Sequence, residues 1–230
     1  MSEKSNIEKL ISNKGVQFRD FPINVTTRAA EEGEEGTEKL IIEGTPIVYG
    51  SETLLYSYRD WDGRDVEIRE EIVAGALDDA DTSEVLFNYN HCGRVYAKHS
   101  ARCNDLELWD APDGYHMRTA LWDDDEGHMQ LYRDIKRGHI DKMSFAFTVA
   151  KYERVEEIDE EANKRTVRYK ITAVERLFDV SAVDLPAYDA TEISARRLYD
   201  AASKAEEAAS KSAASVARAK WNFYKQLRRK

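Results

Sequence analysis

Hydrophobic and polar positions change their period several times along the chain, and each change marks an element. In "KLIIEGTPIVYG" (39–50) β-branched residues run between Gly44, Pro46 and Gly50, the pattern of short strands broken by turns. The segments "EVLFNYNH" (84–91) and "YHMRTALW" (115–122) read the same way. Between 124 and 138 the pattern becomes helical. Met129, Tyr132 and Ile135 recur at three-residue steps, and Asp124 or Asp125 can cap the start. Lys136 and Arg137 suit the last turn, and Gly138 stands just past the end. Alternation then takes over in "HIDKMSFAFTVAKYE". Met143, Phe145, Phe147 and Val149 fall on one face, and Ser144, Ala146, Thr148 and Ala150 on the other. The charged stretch "ERVEEIDEEANKR" reads as an exposed loop, followed by a second strand run from Thr166 to Leu185. Pro186 ends that run because it has no N–H for a ladder.

The two ends are made of different material. Residues 1–38 close on "EEGEEGTE", an acidic, Gly-punctuated run expected to be a flexible lead-in. From about 190 the chain is rich in Ala, Lys, Glu and Arg without Gly or Pro, which predicts a long helix. Its apolar seam (Leu198, Ala202, Ala205, Ala209, Val216, Ala219, Phe223) is mostly alanine and would hold a partner weakly. A basic end carrying Arg218, Lys220, Lys225, Arg228, Arg229 and Lys230 suits either the C-terminal dipole of a solvated helix or a docking tail for an acidic partner. The expected organisation is a segment 1–38, a folded domain 39–192 and a helical tail 193–230.

Composition narrows the function class. The chain has 230 residues, 42% of them hydrophobic and 34% charged, enough for one core with a solvated extension. A formal net charge of −10 argues against nucleic acid as a partner, since phosphates want a basic face. Two cysteines make no disulfide framework, the N-terminus "MSEKSNIEKL" lacks an apolar signal core, and apolar runs such as "IVAGAL" are too short for a membrane span. A soluble protein of the cytoplasm, with no membrane role, is the expectation.

Candidate chemistry gathers in "FNYNHCGRVYAKHSARC" (87–103), which holds His91, Cys92, His99 and Cys103. A structural zinc site usually pairs its ligands as Cys-x2-4-Cys, whereas His91 and Cys92 are adjacent. If 85–91 is a strand, these neighbours point to opposite faces, which disfavours both a shared metal and a thiol–imidazole pair. No metal and no cofactor are expected. Ser144 stands out because its strand face is otherwise small, leaving room for a substrate chain. Spacing alone does not single out His91 from His99, His116, His128 and His139.

An ordered set of segments adds what spacing does not. "IIEGTPIVYGSE" (41–52), "EEIVAGALDD" (70–79), "VLFNYNHCGRV" (85–95), "IKRGHIDKMSFAF" (135–147) and "LFDVSAVDLPAYDAT" (177–191) occur in this order. Together, over about residues 39–192, they closely resemble the prohead (procapsid maturation) proteases of tailed bacteriophages, a family related in fold to the herpesvirus assembly proteases. The resemblance implies a serine endopeptidase that processes the scaffold segment of the major capsid protein, or a scaffold protein, and usually itself. It would act inside the procapsid in the host cytoplasm, as a homo-oligomer or otherwise self-associated.

The same resemblance places the catalytic histidine on His91, the nucleophile on Ser144 and the third, acidic member on Asp179. That acid is commonly Glu in the family, and Glu175 lies four residues earlier on the same face by period two, so it competes for the role. Where the family often has Gly after "SF", this chain has Ala146. Arg94 is a possible helper or a structural ion-pair partner. In such a triad the serine attacks the scissile carbonyl, the imidazole carries its proton to the leaving amine, and the acid holds the tautomer. Activity should then rise with pH through roughly 6–7.5, as an imidazole loses its proton. The expected fold is α+β, mainly β: an antiparallel β-barrel decorated by helices, with the long C-terminal helical tail. The rival readings are a non-catalytic scaffolding protein that binds coat subunits through that tail, and a small zinc-binding domain.

Overall fold

A computed structural model describes residues 15–21, 26–28 and 40–184, with Ala195, Leu198 and Tyr199 in helical conformation. Among the described residues eleven strands and one complete helix follow in order: β1 (Gln17–Phe21), β2 (Thr26–Arg28), β3 (Leu40–Val48), β4 (Thr53–Arg59), β5 (Asp65–Ile72), β6 (Glu84–Tyr89), β7 (Cys92–Ser100), β8 (Leu106–Ala111), β9 (Gly114–Leu121), α1 (Glu126–Lys136), β10 (Lys142–Asp159) and β11 (Lys164–Val183).

The mainly-β expectation holds, but the strands form two open sheets instead of a closed barrel. The larger sheet has seven strands in the order β1-β10-β11-β5-β4, with β6 also beside β11 and β7 beside β6; the smaller runs β2-β3-β9-β8. Nor is it purely antiparallel. The single 20-residue strand β11 pairs in parallel with β5 through Lys164–Ile171 and with β6 through Asp179–Ala182. Alternation along a sequence specifies faces but not neighbours, so these long-range parallel pairings leave no local mark. Edges at β1 and β4 keep the larger sheet open.

The main core draws on both sheets. Ile42 and Ile47 of β3 and Met117 of β9 join Phe145 and Phe147 of β10 and Leu177 and Val180 of β11, all fully buried. Each such side chain contributes about 1.5–3 kcal/mol on leaving water. Helix α1 adds Leu131 and Ile135 to this cluster. Asp125 caps its start by accepting from the His128 N–H at 3.1 Å. At the other end Gly138 takes φ 74°, and the N–H groups of Gly138 and His139 reach the carbonyls of Ile135 and Asp134 at 2.9 Å. That is a Schellman closure, which favours glycine at its left-handed position. The helix faces the core through His128, Leu131 and Ile135; of the expected Met129–Tyr132–Ile135 stripe only Ile135 is fully buried.

Two expectations about connecting segments change. The charged stretch read as a loop is instead the far end of the β10–β11 hairpin, which continues to Asp159 and Lys164. Its charges pair across the strands, Arg165 with Glu156 at 2.7 Å and Arg168 with Glu157 at 2.7 Å, so polar side chains support a solvated ladder. Within the stretch read as a loose lead-in, residues 17–21 form β1 along β10, with Val16 and Phe18 buried. The acidic run 31–38 and the tail beyond Tyr199 lie outside the described residues.

Candidate active site

His91 is not on a strand. Strand β6 stops at Tyr89, β7 begins at Cys92, and the two pair at that step. Asn90 (φ 53°) and His91 (φ 56°) form the two-residue turn between them. Positive φ at both central positions is the type I′ hairpin requirement, and Asn and His are among the non-glycine residues that tolerate it best. The turn is tied to the end of β11: the Asn90 N–H donates to the Ala182 carbonyl at 3.0 Å, and its side-chain amide donates to Asp184 at 3.1 Å. Tyr89 donates its hydroxyl to Asp184 at 2.8 Å; burial, then that carboxylate, push its pKa up to about 12.

Ser144 lies on β10 opposite Asp20 of β1 and Ser181 of β11. Both faces of β10 are buried here, the bulky one in the main core and the small one against Phe18 of β1. His91 reaches this face from the turn, its ring edge-on to Phe18 with centroids 4.9 Å apart.

Three of the expected residues come together in one hydrogen-bonded row. His91 Nε2 stands 2.5 Å from Ser144 Oγ, and His91 Nδ1 stands 2.7 Å from Asp179 Oδ1. Ser144 Oγ also lies 3.0 Å from the Arg19 carbonyl and is fully buried. A neutral imidazole protonated on Nδ1 presents Nε2 as an acceptor, and the serine hydroxyl can donate to it. An imidazolium donates from both nitrogens, and the hydroxyl then turns to the Arg19 carbonyl. The arrangement can therefore accept a proton from Ser144 only when His91 is neutral. A carboxylate at Nδ1 fixes that tautomer and stabilises the charged ring that forms.

Glu175 takes no part in this row. It is exposed on β11, beside register shifts between Thr148, Val149 and Lys151 of β10. Between Glu175 and Asp179 the register also shifts at Ala146/Phe147, where Phe178 is skipped, and this breaks the period-two parity that put Glu175 on the face of Asp179. Arg94 is engaged elsewhere: it bonds Asp125 at 2.5 Å, at the cap of α1, which raises its pKa and lowers that of Asp125. Cys92 is half-buried with its Sγ 3.9 Å from the Tyr89 carbonyl, Cys103 is exposed, and His99 Nδ1 lies 3.1 Å from the Leu106 carbonyl. Among the described residues no cluster of His, Cys, Asp and Glu has the geometry of a metal site, and no helix is long and apolar enough to cross a membrane.

Two participants were given no role in the sequence reading. The Arg19 carbonyl comes from the segment read as a lead-in. Ser181 donates to Asp179 Oδ1 at 3.1 Å and accepts from the His91 N–H at 3.3 Å. A signal for Ser181 existed: in "DVSAV" it shares the face of Asp179 by alternation. Beside the row opens a cavity with Phe18, Leu86, Ala146 and Phe178 on its apolar side and Lys98 and Arg176 among its polar lining.

Comparison with known proteins gives the geometry a context. No curated protein matches the chain. Among solved structures it is similar to the bacteriophage T4 capsid assembly protease, at 15% identity and a TM-score of 0.33, over 74% of this chain and 99% of that one. The model of the caudovirus prohead serine protease family matches residues 24–205. With well over half its length so matched, the chain belongs to the caudovirus prohead serine proteases, enzymes of phage capsid maturation.

Proposed function

We propose that Ser144 is the nucleophile of this protease, His91 its general base and acid, and Asp179 the group that orients and charges the imidazole. The observation that carries this reading is the unbroken row from Ser144 Oγ through the His91 ring to Asp179 Oδ1, at 2.5 and 2.7 Å. Ser144 Oγ attacks the scissile carbonyl carbon while its proton passes to His91 Nε2. The same proton then leaves with the amine of the departing chain, and water repeats the cycle on the acyl-enzyme. Ser144 is buried beside the Arg19 carbonyl of the edge strand β1, so a scissile carbonyl carbon reaches Oγ only when β1 yields. The cavity beside His91 and Asp179 receives a substrate side chain next to the cut bond.

The substrate in this reading is the scaffold segment of the major capsid protein, or a separate scaffold protein, with the enzyme's own termini as further targets. The site of action is the procapsid within the host cytoplasm, and the enzyme associates there with copies of itself and with coat subunits. Co-expression with the capsid protein of the same phage tests it. The expectation is a shortened capsid protein whose cut maps to its scaffold segment, and a full-length one with Ser144→Ala. Equal shortening with both would remove Ser144 from the role. Assembly without any cut, in wild type as well, would favour scaffolding.

A further inference from the structure

We propose that Ser181 is a positioning residue of the proteolytic reaction, clamping the His91 backbone and the Asp179 carboxylate to one another. The inference rests on the reading of His91 and Asp179 as base and orienting acid. Four groups close a ring. The His91 N–H donates to Ser181 Oγ at 3.3 Å, and Ser181 donates to Asp179 Oδ1 at 3.1 Å. That same oxygen lies 2.7 Å from Nδ1 of the His91 ring. The ring thus runs out of His91 at its backbone and back in at its imidazole.

Placement favours this role over plain packing. Ser181 is fully buried and pairs in register with Ser144 on β10 and with Asn88 on β6, the strand that leads into the His91 turn. It therefore stands between the two segments whose relative position sets the Oγ–Nε2 distance. A buried hydroxyl needs partners, and an alanine would fill nearly the same space without that need. Here one hydrogen bond is spent on the carboxylate and the other on a turn residue at φ 56°. Holding the His91 backbone and ring from two directions restricts χ1 and χ2, so Nε2 stays at Ser144. Without the hydroxyl, the His91 N–H and Asp179 Oδ1 each give up this partner.

Reaction with a fluorophosphonate tests the proposal, since it reads activation of the serine without a known cleavage sequence. Ser181→Ala should lower the limiting rate kinact by about 10- to 100-fold, the range for a hydrogen bond to a charged group, with KI unchanged. In Ser181→Ala the His91 Nδ1 proton, followed by NMR on 15N-histidine-labelled protein, should broaden or move; a role in packing alone would leave it in place. Ser181→Thr keeps the hydroxyl and should react within about threefold of wild type. This variant decides the matter if Ser181→Ala melts early. The proposal is overturned if Ser181→Ala reacts at the wild-type kinact, or if Ser181→Thr is folded and as slow as Ser181→Ala. Ser144→Ala and His91→Ala run alongside: if Ser144→Ala reacts like wild type, it is the assignment of the nucleophile that has failed.

Discussion

The two donors that converge on a single oxygen of Asp179 make Asp179→Asn an unusually informative change. His91 Nδ1 lies 2.7 Å and Ser181 Oγ 3.1 Å from Oδ1. In the variant these two donors orient the amide with its carbonyl oxygen in that place and its NH2 on the other side. The tautomer of His91 then survives, and only the negative charge is lost. A hydrogen bond to a charged acceptor contributes about 1.5–3 kcal/mol against about 0.5–1.5 for a neutral one, so the transition state loses on the order of 1–2 kcal/mol. At 1.36 kcal/mol per tenfold, that is a fall of roughly 5- to 30-fold. Asp179→Ala leaves both donors without this acceptor and the tautomer unfixed, and should cost about 10⁴-fold, the loss that follows when a triad imidazole is held in the wrong tautomer. The assay is the rate of serine modification by a fluorophosphonate at fixed pH, with melting temperature as a control. If Asp179→Asn is as slow as Asp179→Ala, the amide has turned its NH2 toward His91 and the reasoning from convergent donors is wrong. If Asp179→Ala stays within tenfold of wild type, Asp179 does not support the base at all. Glu175→Gln, on an exposed bulge, should change the rate by less than about twofold, as an ordinary surface substitution does.

Three further outcomes concern the stability of the fold. Burial, and then the charge of Arg94, hold the pKa of His128 below that of an ordinary imidazole, and its ring accepts from the Trp122 N–H at 3.1 Å. The unfolded chain thus takes up a proton that the folded one refuses, so stability is lost as pH falls through about 6.5; His128→Gln should flatten the melting temperature between pH 5 and 7.5, and an unchanged slope refutes this. Arg19 and Glu70 form a buried ion pair joined by the Tyr199 hydroxyl, and although burial opposes its charge, the pair with Glu70 raises the Arg19 pKa. Glu70→Gln should destabilise by about 3–5 kcal/mol in urea unfolding, and a loss under 1 kcal/mol would mean the guanidinium finds other support. A Cβ on Gly114 would stand 2.2 Å from the Ile47 carbonyl, so Gly114→Ala should part β3 from β9 and lower the melting temperature, whereas Gly138→Ala meets open space and costs only the left-handed backbone, about 1–2 kcal/mol.

What the sequence made legible depended on how local the cause was. Helix α1 was readable because its cap and its terminal glycine both lie within 124–138, though its buried face was read with Met129 and Tyr132 in place of His128 and Leu131. The alternation at 143–149 was readable for the same reason, and it set Ser144 apart on a small-residue face. The acid was harder: parity along β11 offered Glu175 and Asp179 alike, and the register shifts at Ala146/Phe147 and Thr148/Val149 separate them. The turn at Asn90–His91 was read as the end of a strand, since no glycine marks it; its positive φ values depend on the anchoring of Asn90 to Ala182 and Asp184. The far end of the β10–β11 hairpin looked like a loop because most of its side chains are charged and pair across the strands. The burial of Phe18 and the open, mixed sheet follow from long-range pairings, Phe18 with Ala146, Lys164 with Asp65 and Asp179 with Leu86, which no local pattern encodes.

The assignment of Ser144 as nucleophile is tested most directly by locating the covalent adduct. Wild-type protein treated with a fluorophosphonate and digested should carry the phosphoryl group on the peptide containing Ser144. The adduct should be absent from Ser144→Ala and strongly reduced in His91→Ala. An adduct on a different serine, or undiminished modification of Ser144→Ala, would contradict the account.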